Sequence, residues 1–319
     1  MVSKSIICSE VLHFSGERML QYLVWEYMEQ KGFDVYGEVW LGHGYGRIDL
    51  VCIKDELVGG LEVKRKKDIE NRDISEVKGY VRSGFFSDIA LLIQYKGPNT
   101  NDISDMGTSI IFRQDFEDLE YMPAFLYVPI KESNTPPFYE LDPSIPQFLR
   151  NLPVFEDSVT IFPSHLFEFE FKNVVTPTKE LKLTRDNEIT IEYNLWKEYR
   201  RKGACVLPQV NITGILTHNM GAKKGNKMEI DLLIIDEDSF TAIEVKDKSQ
   251  IGDEQIESYK FLKESGTINE VLFVVPKNRT KQAHNKLLEK GASDIPVLAY
   301  EDILGRSVTN KNQKSLTEF

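Results

Sequence analysis

Residues 228–246 read Met-Glu-Ile-Asp-Leu-Leu-Ile-Ile-Asp-Glu-Asp-Ser-Phe-Thr-Ala-Ile-Glu-Val-Lys. Two short apolar runs flank an acidic turn, Asp236-Glu237-Asp238-Ser239, which is the pattern of two adjacent strands. Residues 48–64 carry the same signal 182 positions earlier. There Ile48-Asp49-Leu50 and Leu61-Glu62-Val63-Lys64 match Ile230-Asp231-Leu232 and Ile243-Glu244-Val245-Lys246. Upstream, Val24-Trp25, Lys31-Gly32 and Val39 match Leu195-Trp196, Lys202-Gly203 and Val210 at an offset of 171. The 11-residue difference falls in Thr213–Met228, rich in Gly, Asn and Lys. A set of elements repeated in order implies two domains of one fold.

Each copy reads as helix, three strands, helix, strand. Met19, Leu20, Leu23, Val24 and Tyr27 recur at helical spacing and Gly32 supplies a stop. The counterpart helix runs over 189–202 and stops at Gly203. Extended stretches over 33–41 and 204–213 follow, then the strand pairs just quoted. Helices over about 73–83 and 252–264 come next, each followed by an apolar strand (Ile89–Tyr95; Val271–Val275). This order predicts an α/β fold with a mixed sheet in each domain. Domain boundaries are expected at 1–130 and 181–319. Between them, 131–180 is Pro-rich, and Leu166–Lys172 alternates as a half-buried strand does, so an ordered, partly β connector is expected.

Composition narrows the function. The chain of 319 residues has 41% hydrophobic and 28% charged residues and a net charge of −11, a globular balance that excludes a polybasic, histone-like binder. Three cysteines without CxxC spacing exclude a disulfide framework or zinc ribbon, and no HExxH is present. The longest apolar runs are of strand length, and the N-terminal segment is too short and too soon acidic for a signal peptide. A soluble, cytoplasmic protein with no membrane partner is expected.

Asp49, Glu62 and Lys64, and again Asp231, Glu244 and Lys246, fit D-x12-E-x-K. Residues two apart on a strand share a face, so each Glu and Lys point the same way while the Val between them turns inward. An aspartate on the neighbouring strand can stand beside that glutamate. Such carboxylates make a hard oxygen site suited to Mg²⁺, with Mn²⁺ as a substitute. The lysine beside it can position a water or neutralise charge on a phosphate. Composition alone gives about 0.16 such spacings by chance. A third match, Asp157, Glu170 and Lys172, follows no helix and precedes none, and reads as coincidence.

With these blocks in hand, both copies resemble the PD-(D/E)XK nuclease superfamily, the restriction-endonuclease-like fold. Within it they are most similar to archaeal Holliday-junction resolvase-type domains. The resemblance covers about residues 15–95 and 188–276. It implies a metal-dependent nuclease cutting DNA, with Asp231, Glu244 and Glu192, and Asp49 and Glu62, as metal ligands. Lys246, Glu244, Lys64 and Glu62 would be the catalytic set. Glu192 lies 11 residues before Gly203, where such domains carry a helix glutamate. Gln21 stands in the first copy, with Glu17 one turn earlier as a substitute. The family's Gln-x-x-x-Tyr pair is matched by Gln255 and Tyr259; Glu76 and Tyr80 stand in the first copy. Lys223 and Lys224 are candidate substrate contacts. Trp25 and Trp196 read as core residues, His43 and His218 as loop histidines, Cys52 and Cys205 as buried strand thiols. Two fused copies suggest an intramolecular pseudo-dimer, with a homodimer as the other possibility. The rival readings are a nucleic-acid-binding protein with inactive folds, an RNA-directed nuclease, and a protein-interaction scaffold.

Overall fold

The computed structural model describes residues 12–14, 17–66, 71–95, 124–129, 171, 175–185, 187–212, 228–236, 239–247 and 251–304. They fall into two compact units, each an α/β arrangement with one mixed sheet.

The first described elements are strand β1 (Leu12–Phe14) and helix α1 (Glu17–Gln30). The N-terminal unit continues with β2 (Asp34–Trp40), β3 (Arg47–Lys54), β4 (Leu57–Lys66), α2 (Asn71–Arg82), β5 (Asp88–Tyr95) and β6 (Ala124–Pro129). Its sheet order is β2-β3-β4-β5-β6. The first three strands pair antiparallel through tight connections, and β5 and β6 add in parallel. The parallel β4–β5 pair needs a crossover, which α2 provides. Helix α1 buries Leu20, Val24, Trp25 and Met28 and ends at Gly32, whose φ of +85° only glycine adopts without strain.

The C-terminal unit repeats the plan. It contains α3 (Glu188–Arg201), β7 (Cys205–Ile212), β8 (Met228–Asp236), β9 (Ser239–Val245), α4 (Asp253–Glu264) and β10 (Glu270–Val275). A 3₁₀ turn (Lys277–Arg279), α5 (Thr280–Glu289), β11 (Val297–Ala299) and α6 (Tyr300–Leu304) follow. Asn187 caps α3, its side chain accepting from Thr190 N at 3.1 Å. The strand register carries the sequence offset through the sheet. Glu62 faces Leu91 and Glu244 faces Phe273 across their parallel partners. One strand further, Leu91 faces Phe125 and Phe273 faces Val297. Trp25 and Trp196 are both buried, in line with a core role. Burial of a ring that size contributes roughly 4–6 kcal/mol. Cys52 and Cys205 are buried thiols on β3 and β7.

Three features depart from the expected boundaries. Strand β1 does not join the first copy's sheet. It pairs antiparallel with β7, Leu12 opposite Ile212, so the C-terminal unit has six strands in the order β1-β7-β8-β9-β10-β11. The described end of the connector belongs to the N-terminal unit. Val175 N donates to Ser87 O at 3.2 Å and Thr178 N to Gly84 O at 2.8 Å. Phe171 meets Phe33 edge-on at 5.9 Å and lies against Gly59, where any Cβ would collide with its ring. Leu181 and Leu183 pack on the same core, so the described residues from Phe171 up to Thr184 go with the N-terminal unit and those from Arg185 on with the C-terminal one. The rest of 131–180, including most of the expected strand at 166–172, lies outside the described residues. Strands β6 and β11 and helix α5 lie beyond the elements read from the sequence.

Candidate functional site

In the C-terminal unit the hairpin β8–β9 and helices α3 and α4 bring the expected residues together. Asp231 Oδ2 accepts from Val245 N at 2.7 Å, which ties the aspartate to the strand bearing Glu244 and Lys246. Glu244 is only 1% exposed. Its Oε1 lies 2.6 Å from Lys246 Nζ and accepts from Gln255 Nε2; its Oε2 accepts from Tyr259 O–H at 2.5 Å. Lys246 Nζ also reaches Glu188 Oε1 at 2.5 Å, Val245 O at 2.8 Å and Asp231 Oδ2 at 3.8 Å. Glu192 is buried on α3.

Three carboxylates, Glu188, Asp231 and Glu244, thus surround one ammonium group, and Glu192 adds its charge at Asp231. Burial, then the charges of Glu244 and Glu192, hold Asp231 well above the usual carboxylate range, against the pull of Lys246 and the Val245 N–H. Burial also raises Glu244 despite Lys246 and Tyr259. Burial acts to lower Lys246, but Asp231, Glu244 and Glu188 outweigh it and keep the ammonium above its ordinary value. Tyr259 is pushed well up, first by burial and then by Glu244 and Asp231, so it remains a hydrogen-bond donor.

The N-terminal unit builds a thinner version. Asp49 Oδ2 accepts from Val63 N at 2.8 Å, the same bond in the first copy, and Asp49 N approaches Glu62 Oε2 at 3.4 Å. Lys64 pairs with Glu62 and stands 3.7 Å from Glu76. Tyr80 donates to Arg47 O at 2.8 Å; burial, then Glu62 and Glu76, raise its hydroxyl. Burial and the Asp49 charge push Glu62 up to about 8, with Lys64 opposing. Gln21, 4% exposed, donates from Nε2 to Asp49 O at 3.1 Å. It therefore fixes the aspartate's backbone, where Glu192 in the other unit adds charge.

Two features were beyond sequence reasoning. Glu188 contacts Lys246 directly; its position matches Glu17, but nothing at that spacing announces a lysine partner from a distant strand. The second is strain. Glu38 and Gln209 are equivalent residues with φ of +47° and +56°, a left-handed backbone that non-glycine residues rarely adopt. Each sits on the strand beside the aspartate, where the ladder skips one pair, between Gly37↔Leu50 and Val39↔Ile48 and between Pro208↔Leu232 and Val210↔Ile230. Such strain costs of order 1–3 kcal/mol and gathers at functional sites.

Among the described residues, no group of three or more His, Cys, Asp or Glu side chains is arranged as a metal cage. Lys246, Gln255 and Tyr259 occupy the Glu244 oxygens. By chemistry the donor set still fits a hard divalent ion, since it is all oxygen and carries more carboxylates than cations. Such an ion would compete with Lys246 and Gln255 for Glu244 Oε1. Lys223 and Lys224, with His218, lie outside the described residues. The basic end of α3 is engaged by its own helix: Arg200 stacks on Trp196 at 4.4 Å, and Arg201 and Lys202 pair with Glu198.

No protein-family model and no curated protein matches this chain. No described helix is long and apolar enough to cross a membrane.

Proposed function

We propose that the protein is a divalent-metal-dependent nuclease of the PD-(D/E)XK type, with a restriction-endonuclease-like fold in each unit, hydrolysing DNA phosphodiester bonds. The observation that carries this reading is the repeated bond from a backbone N–H to the aspartate. Val63 N to Asp49 Oδ2 and Val245 N to Asp231 Oδ2 place an Asp, a Glu and a Lys on neighbouring strands in the same way twice.

Asp231, Glu244 and Glu192 would hold Mg²⁺, or Mn²⁺ in its place. When bound, the ion supplies Lewis-acid stabilisation of the phosphate and lowers the pKa of a coordinated water. Gln255 and Tyr259 hold Glu244 in orientation, a supporting role that commonly matters 10–100-fold, roughly, in metal sites. Glu188 aims Lys246. Its carboxylate neighbours favour the charged form of Lys246, which would orient water or meet developing phosphate charge. In the N-terminal unit Asp49, Glu62 and Lys64 would act alike. Gln21 favours a second reading there, a nucleic-acid-binding fold with little catalysis. Two fused units suit two strands of a duplex or branched substrate, as an intramolecular pseudo-dimer.

The test is a metal titration with supercoiled plasmid, single-stranded DNA, branched DNA and RNA, comparing wild type with Asp231→Asn. Metal-dependent cleavage of DNA lost in the variant is expected. Cleavage undiminished in excess EDTA overturns the reading, and cleavage of RNA alone redirects it.

A further inference from the structure

We propose that Trp40, with Arg47 and His43, forms a stacking subsite for an unpaired nucleobase and its phosphate beside the carboxylate cluster of the N-terminal unit. This rests on the reading that the protein engages nucleic acid.

Trp40 is 56% exposed, whereas Trp25 and Trp196, the other two tryptophans, are 2% and 0% exposed. A single exposed apolar residue is ordinary; this one is held in place and has cationic company. It ends β2 directly opposite Arg47, the first residue of β3. The intervening loop is closed by Leu41 N donating to Gly46 O at 2.9 Å and Gly46 N to Gly42 O at 3.3 Å. Gly42, Gly44 and Gly46 all take positive φ, which lets a loop this short close. Leu41 beside Trp40 is buried and anchors it. The His43 ring meets the indole edge-on at 6.1 Å.

The position relates to the site. Arg47 and Asp49 are two apart on β3 and share a sheet face, and the carbonyl of Arg47 accepts from Tyr80, the residue beside Glu62. The Arg47 side chain is 57% exposed and its ion pair with Glu38 is a surface one, which an incoming phosphate can replace at small cost. A flat π-face next to a guanidinium matches a nucleotide, whose base stacks and whose phosphate pairs. The repeat supplies an internal control. The residues matching Trp40 and Arg47 are Asn211 and Glu229, which cannot stack and would repel phosphate. The subsite therefore belongs to the N-terminal unit alone.

Trp25 and Trp196 also emit but are buried away from contact, so quenching by a stacked base acts on the Trp40 share of the fluorescence. The full chain is titrated in EDTA, where no cleavage is expected, with thymidine and uridine oligonucleotides and a blunt duplex, following fluorescence and, with labelled strands, anisotropy. Saturable quenching by either single strand, weaker with duplex, is expected. Trp40→Ala should abolish the quenching and weaken single-strand binding at least about fivefold, and Trp40→Phe should recover part of the affinity. Far-UV circular dichroism checks the fold, and quenching of the wild type needs no variant. Binding without quenching, wild-type affinity in Trp40→Ala, or no binding of any strand overturns the inference. Quenching together with an absence of plasmid cleavage sinks the nuclease reading alone; metal-dependent cleavage with no quenching sinks this inference alone.

Discussion

The two units use one backbone plan and fill it with different chemistry. Both hold the aspartate through the same N–H bond, and both strain the residue across from it. Around Lys246 stand Glu188, Glu244 and Asp231, with Glu192 adding its charge at Asp231 and Gln255 and Tyr259 locking Glu244. Around Lys64 stand Glu62, Asp49 and Glu76, while Gln21, where the other unit has Glu192, turns to a backbone carbonyl. The C-terminal site thus concentrates negative charge, the requirement for a divalent ion. The N-terminal unit has one carboxylate fewer there, Gln21 for Glu192, and an exposed aromatic at its edge.

The largest effect should come from the metal. Cleavage should vanish in EDTA and return with Mg²⁺ or Mn²⁺ in a plasmid assay, while Ca²⁺ should support binding better than cutting, since its looser coordination positions water poorly. Next, disabling each unit in turn should separate them. Asp231→Asn and Glu244→Gln should lower plasmid nicking on the order of 100-fold or more and leave the protein folded, whereas Asp49→Asn should keep most nicking and lose linear product. Equal residual nicking from Asp231→Asn and Asp49→Asn would erase the asymmetry, and full-rate linear product from Asp49→Asn would remove the pseudo-dimer.

Smaller effects sharpen the comparison through stability. Tyr259→Phe removes a donor from a buried carboxylate and should cost about 1.5–3 kcal/mol, against about 1 kcal/mol for Tyr80→Phe, whose partner is a neutral carbonyl. Urea unfolding of both variants reads the difference. In EDTA, Glu62 supplies a pH test. Its folded value of about 8 lies above the ordinary 4.5, so its contribution is complete below about pH 4.5 and is lost as pH rises through 8. Glu62→Gln should flatten that decline in the N-terminal unit's stability. A slope unchanged by the variant would place the titration elsewhere. The smallest change is Gln21→Glu, which should lower stability by about 1 kcal/mol through the bond to Asp49 O. In an Asp231→Asn background it should also raise nicking at high metal concentration.

How much was legible in the sequence depends on distance along the chain. The repeat, the six core elements of each copy and the Asp–Glu–Lys spacing could be read directly. Strand alternation and helix periodicity are local, and Glu-x-Lys puts two side chains on one face whatever surrounds it. Gln255 and Tyr259 could be named only through the family resemblance, which implies a Gln-x-x-x-Tyr pair on the following helix. Tertiary structure decided what depended on remote partners. It put β1 on the edge of the other copy's sheet, Leu181 in the N-terminal core and Glu188 against a lysine 58 residues away. It also turned Gln21 toward a carbonyl and left Trp40 in solvent while Trp25 was buried. None of these has a period or a spacing in the sequence. Each is set by which surfaces remain to be covered, and which charges to be paired, once the sheets have formed.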